Sequence, residues 1–153
     1  MALWFLRIEG ITGDSAVSGH EGSIRVSSWS WSVSNKQGLA TGAGSGHAVL
    51  HDLVITAASG RASLQLIETC ALGRQAATAT LTGVRGDSEL FTFLRYDLAR
   101  VSIETVTQTV EDSGEVLDQT VLQFRGLKGT FWRQLPDGSA SPPLSIEIGN
   151  PQH

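Results

Sequence analysis

His47 and His51 stand four residues apart, a spacing that on a helix would let both imidazoles reach one metal ion. The residues around them alternate as a strand does, and four strand residues span roughly 13 Å, too far for two ligands of one zinc. Gly42, Gly44 and Gly46, with Ala43 and Ser45 between them, have the composition of a phosphate-cradling loop. That segment lacks the Lys-Ser/Thr ending and runs into a strand, whereas phosphate binding uses the N–H groups of a helix N-terminus. Serine, histidine and aspartate all occur, but no Gly-x-Ser-x-Gly elbow presents a nucleophile and the carboxylates are dispersed. Cys70 is the only cysteine, which excludes an intrachain disulfide and a cysteine zinc cluster and leaves the reading of a small buried apolar residue. The expectation is a protein that is not an enzyme and uses no metal or cofactor.

Trp29 and Trp31 lie on one face of a strand, with Ser28 and Ser30 on the other. Two indoles so placed can form a stacking platform for a sugar or a base, or can pack in a core or a subunit contact. The packing reading is preferred, with Phe91, Phe93 and Trp132 read in the same way.

Composition narrows the classes further. The 153 residues suit one domain with a full core, 1–153. The charged fraction is 17%, and serine, threonine and glycine take the polar positions instead, a balance that favours strands and turns. Net charge is −4, with two lysines, Lys36 and Lys128, and arginines scattered singly. A nucleic-acid binder needs a concentrated basic face, so none is expected. No stretch approaches the ~18 apolar residues of a membrane helix, and the short apolar start lacks the basic region and cleavage site of a secretory signal. The expectation is a cytoplasmic protein that, if secreted, leaves without such a signal.

The elements that must position these residues are mostly strands. Leu3, Phe5, Leu6 and Ile8 open the first. In the second, Ile24 and Val26 occupy even positions while Trp29, Trp31 and Val33 occupy odd ones, so the apolar phase flips near Ser27-Ser28. A flip of one residue needs a bulge or a sharp bend, the device that turns corners in curled or closed sheets. Residues 34–46 carry four glycines and read as an extended loop, long enough to be functional. A strand is expected over 47–56. One helix follows, with Ser63 as N-cap, Leu64, Ile67, Cys70 and Ala71 at three- and four-residue steps, and Gly73 beyond its end. Strands resume near Thr78–Thr82, Leu90–Arg95, Arg100–Val110, Thr120–Leu127 and Gly129–Gln134, with turns expected at Gly86-Asp87, near Tyr96-Asp97 and at 111–114. A C-terminal extension, 135–153, alternates at Leu144, Ile146 and Ile148, as an edge strand or as an arm for a neighbouring subunit. The fold class is therefore mainly β: a single-domain antiparallel β-barrel with one short flanking helix.

The ordered set of features resembles a known family. Gly22-Ser23-Ile24-Arg25-Val26-Ser27-Ser28-Trp29-Ser30-Trp31-Ser32-Val33-Ser34 resembles the early strand of the haemolysin-coregulated protein (Hcp) family, the type VI secretion tube proteins. A glycine-rich loop follows, as in that family. His51-Asp52-Leu53-Val54-Ile55-Thr56 is similar to its next strand, and Ser63 to Gly73 to its helix, with Leu64 where a proline is usual. The resemblance implies a structural tube component that assembles as a homohexamer, with stacked rings, a spike protein at the tip, a contractile sheath outside and effector proteins in the lumen. It also implies that loop 34–46 makes ring–ring contacts, through Lys36, Gln37 and Leu39, and Trp29 and Trp31 join these as candidate interface residues. The competing reading is a monomeric ligand- or carbohydrate-binding β-barrel that uses the aromatic face.

Overall fold

The alternation seen in the sequence becomes eleven strands and one helix in the computed structural model, which describes residues 1–36 and 47–149. In chain order these are β1 (Ala2–Ile8), β2 (Ile24–Val26), β3 (Ser28–Ser30), β4 (Val33–Lys36), β5 (His47–Leu50), β6 (Leu53–Ala58), α1 (Arg61–Ala71), β7 (Gln75–Arg85), β8 (Phe91–Val110), β9 (Val116–Gln123), β10 (Gly126–Phe131) and β11 (Leu144–Gly149). All pairings are antiparallel. The main sheet runs β2-β1-β7-β8-β9-β6-β3, with β10 also paired to β8 and β11 to β10, while β4 and β5 form a separate hairpin.

β2 and β3 are neighbours in sequence yet stand at opposite ends of the sheet path. The chain therefore joins the two ends of the sheet through one residue, Ser27, whose N–H and Oγ both donate to Thr56 O at 2.8 Å. This is the corner that the phase flip at Ser27-Ser28 required. The sheet wraps on itself like a barrel, but β2 does not pair with β3, so the ladder stays open there. Inside the wrap lie Leu6, Ile8, Ile24, Val26, Leu53, Ile55, Leu81, Leu98, Val101, Ile103 and Leu122, all buried.

β8 corrects one expectation. Its 20 residues form one strand, and Tyr96 and Asp97, read from sequence as a turn, sit in the middle of it, opposite Leu81 and Thr80 on one side and Gly129 and Lys128 on the other. Asp97 does not break the strand because it faces outward, where its Oδ1 accepts from Arg95 Nε at 3.0 Å and Nη2 at 2.9 Å and from Thr80 Oγ1 at 3.3 Å. The strand bends instead at Arg100, a non-glycine residue at φ 55°. There β8 exchanges one neighbour for another: Ala99 pairs with Gly126 of β10, and Ser102 pairs with Gln123 of β9.

The expected strand over 47–56 is also two pieces, because β5 ends at Leu50 and β6 starts at Leu53. The expected loop is shorter at its start: Ser34, Asn35 and Lys36 belong to β4 and pair with Val49, Ala48 and His47, while 37–46 lie outside the described residues. Of the two readings of the C-terminal segment, the structure has the edge strand, β11, paired along its length with β10.

The helix begins three residues earlier than expected. Gly60 is the N-cap, and Ser63, proposed for that role, lies in the first turn, where its Oγ accepts from Gly60 N–H at 2.8 Å and donates to Asp118 Oδ2 on β9 at 2.5 Å. Ser59 Oγ donates to Asp118 Oδ1 at 2.8 Å, so the buried carboxylate ties the helix start to the sheet. At the other end Gly73, at φ 66°, takes the left-handed conformation expected just past a helix end. An isolated helix of 11 residues is not stable in water, so α1 depends on the packing of Ala62 and Leu66 into the core. Leu66→Ala is expected to lower stability by about 2–5 kcal/mol, and Leu64→Ala, on the exposed face, to change it by less than about 0.5 kcal/mol, as read from urea midpoints at constant slope.

Candidate functional site

Three surfaces carry the residues singled out by sequence: an aromatic seam, the β4–β5 hairpin, and the free face of β10–β11. The seam contains both candidate tryptophans. Trp29, opposite Ile55, puts its ring 5.0 Å from Trp4 and 5.9 Å from Tyr96. Trp31 lies 5.7 Å from Tyr96 and 6.1 Å from Phe124, and Trp4 also meets Phe93 at 5.5 Å. Every one of these contacts is edge-to-face, the geometry that the ring quadrupoles favour. The two rings do share one side of the sheet, since both touch Tyr96. Both are half-buried and pack against the core.

The close approach of Trp4 depends on a missing side chain. Gly83 lies opposite Trp4 in the β1–β7 ladder, and a Cβ there would stand 2.5 Å from the indole. Gly129 beside Tyr96 is less constrained, with a Cβ 3.2 Å from the phenol ring. Gly83→Ala is therefore expected to cost about 1–3 kcal/mol and to shift tryptophan emission, with Gly129→Ala costing less; urea unfolding followed by fluorescence checks the order.

On the hairpin, Lys36 is exposed and opposite His47. Gln37 and Leu39, the other two loop candidates, lie outside the described residues. His51 follows the hairpin, and its Nε2 is 2.8 Å from Ser34 Oγ. Among the described residues no group of three or more His, Cys, Asp or Glu could hold a metal ion. Cys70 is partly buried rather than fully so, with its thiol 3.5 Å from Glu104 O.

The third surface includes the C-terminal alternation that sequence offered as an edge strand or an arm for a neighbouring subunit, without naming its residues as a site. Cα partners place Leu6, Leu81, Tyr96, Gly129 and Ile146 in one row across β1, β7, β8, β10 and β11, and place Trp4, Gly83, Leu94, Phe131 and Leu144 in the next. Directly paired residues of a sheet project to the same face. These rows therefore begin in the core and run out onto an apolar face at the β11 edge, where Phe131, Leu144 and Ile146 are 44%, 71% and 55% exposed. The signal available in sequence was the alternation Leu144, Ile146, Ile148, which a partner-facing strand and a core strand share.

On the opposite face of β1, His20 stacks on Phe5 with ring centroids 4.6 Å apart and planes 9° from parallel. Its pKa is lowered below the ordinary histidine value, first by desolvation and then by the charge of Arg7, with Glu21 opposing. A histidine whose native pKa is depressed binds protons less readily folded than unfolded, so its effect on stability is absent well above 6.5 and grows as pH falls through 6.5 toward the native value. Chemical denaturation at pH 7.5 and at pH 5.5 is expected to show lower stability at 5.5, and His20→Phe is expected to shrink that difference.

A family model described as type VI secretion system effector, Hcp, matches residues 5–131. No curated protein matches the sequence. Among solved structures, Hcp1 from Salmonella typhimurium is similar with 22% identity and a TM-score of 0.80, over 97% of this chain and 94% of that one. A structure described as a type six secretion system protein has 17% identity and a TM-score of 0.88, over 97% and 96%. A type VI secretion system effector from Yersinia pestis has 20% identity and a TM-score of 0.76, over 96% and 99%.

Proposed function

This chain belongs to the Hcp family of type VI secretion system effectors and is a structural tube component of that system, and we propose that it does this work as a homohexameric ring whose subunits meet through the free apolar face of β10–β11. The observation that carries the proposal is the continuation of the core rows onto Phe131, Leu144 and Ile146, all exposed in the single chain. A monomer seldom leaves large apolar side chains adjacent to one another at a sheet edge without a partner. The next subunit is the partner of choice because a closed ring repeats one contact and leaves no free edge.

In this reading the β4–β5 hairpin makes the contact between stacked rings. Lys36, paired with His47 at the end of the hairpin ladder away from Val33 and Leu50, belongs to this contact, and Gln37 and Leu39 are proposed to join it. Trp29 and Trp31 support the subunit wall from inside rather than gripping a neighbour, since their rings are already engaged with Tyr96. Rings stack into a tube that carries effector proteins in its lumen, with a spike protein at the tip and a contractile sheath around it. The chain is rich in serine and threonine and poor in charge, which suits a channel that releases its cargo. The work is mechanical, with no bond made or broken, and the protein is made in the cytoplasm and leaves through the machine it builds. No helix among the described residues is long and apolar enough to cross a membrane.

Sizing with mass detection tests the ring. One subunit is 16.3 kDa, and the expected species is six times that mass. Ile146→Asp, exposed in the lone chain, is expected to leave the fold intact by circular dichroism and to move the population to monomer. A wild-type monomer at high micromolar concentration, or a ring unaffected by Ile146→Asp and Leu144→Asp together, contradicts the assignment.

A further inference from the structure

A cavity of about 550 Å³ opens between the start of α1 and the inner face of β2, β6 and β9. Its walls include Val26, Ile55 and Leu66, and its polar lining residues include Asp118 and Thr120 of β9 with Asp14, Ser59 and Ser63. Both polar residues are buried, 4% and 1% exposed, and they belong to the inward row that continues as Leu122. Thr120 Oγ1 has no hydrogen-bond partner among the described residues. Asp118 accepts from Ser59 Oγ, Ser63 Oγ and Gln108 Nε2, which orient it firmly but bring no positive charge. No described cation lies within ion-pair distance of it. Arg25 and Arg61, which also line the cavity, are exposed residues.

A buried hydroxyl nearly always has a hydrogen-bond partner, and Thr120 is an exception that needs an explanation, whereas Asp118 has its hydrogen bonds but no counter-charge. Here both face one cavity with apolar walls, the usual composition of a small-ligand site. The missing complement is a positive charge that donates hydrogen bonds and is attached to something apolar. A guanidinium would suit a carboxylate with both oxygens free, in a bidentate pair, but three donors already occupy Asp118. A primary ammonium is a compact cation with three donors, able to serve one remaining carboxylate position and the Thr120 hydroxyl together. We propose that this cavity binds a primary ammonium on an unbranched apolar stem, either a free aliphatic amine or a lysine side chain. The inference does not rest on ring formation.

The test titrates the full chain at neutral pH with n-hexylamine hydrochloride, 1-hexanol, sodium hexanoate and a blocked lysine-containing peptide, followed by calorimetry and by amide NMR shifts. Hexylammonium is expected to bind with shifts centred on Asp118 and Thr120, 1-hexanol to bind roughly tenfold more weakly, and hexanoate not to bind. Binding of the peptide identifies a lysine side chain as an occupant, and its failure beside a positive hexylammonium titration restricts the site to free amines. Asp118→Asn should reduce hexylammonium to the level of the alcohol. Should that variant not fold, Thr120→Val decides: it keeps the branched shape, removes the unpartnered hydroxyl, and should keep or raise thermal stability while weakening hexylammonium several-fold. Equal affinity for hexylammonium and 1-hexanol, shifts away from β9, or no saturable binding of the amine overturns the proposal, and none of these outcomes bears on whether the chain forms rings.

Discussion

The structure depends on a mismatch of area: the apolar face of the sheet is wider than the core that the sheet wraps around. The row Leu6, Leu81, Tyr96, Gly129 and Ile146 is continuous in backbone pairing, but its first members are sealed by the wrap and its last is left in solvent. β8 causes this division. With 20 residues it serves as the shared wall, paired over 91–102 with β7 and, on its other edge, over 94–99 with β10 and over 102–110 with β9, the change of partner falling at Arg100. A sheet that branches in this way cannot cover both wings with one short helix.

The rest of the molecule follows from how the closed wing is held. Ser27 carries the chain from one end of the sheet to the other, Asp118 fastens the helix start to β9, and the edge-to-face seam from Phe93 to Phe124 fills the volume beside the core. Each of these is a short-range device with a specific partner. The open wing, by contrast, has a regular ladder and little side-chain cover, which makes it suited to repetition by symmetry and ill-suited to a unique substrate. That contrast connects the architecture to a tube component and separates it from a barrel built to hold a ligand between tryptophans.

Much of this was legible in the residues, and the failures have physical causes. The bend at Ser27-Ser28 was visible because period-two alternation records which side of a sheet each residue faces, and a phase change cannot be hidden. The helix was visible from the three- and four-residue steps of Leu64, Ile67, Cys70 and Ala71 and from Gly73, but its start was misplaced at Ser63 and its packed face is centred on Ala62 and Leu66, with Leu64 and Ala71 exposed. A serine accepts a backbone N–H equally well as a cap or from the first turn, and here its role is decided by Asp118, 55 residues away. Asp97 suggested a turn because strands disfavour aspartate, and only the cross-strand partners Arg95 and Thr80 make it acceptable. Asp118 and Thr120 gave no signal at all. In β9 they share a face with Val116 and Leu122, while Leu117 and Val121 occupy the other, so alternation alone does not say which face is inside.

Hydrogen–deuterium exchange over residues 144–149, compared between dilute and concentrated protein, measures directly whether another copy covers the open wing. The account predicts that amides of β11 become protected on concentration while those of α1 keep the same rates. Equal exchange of β11 at both concentrations, in a sample whose mass shows that subunits have assembled, would contradict it.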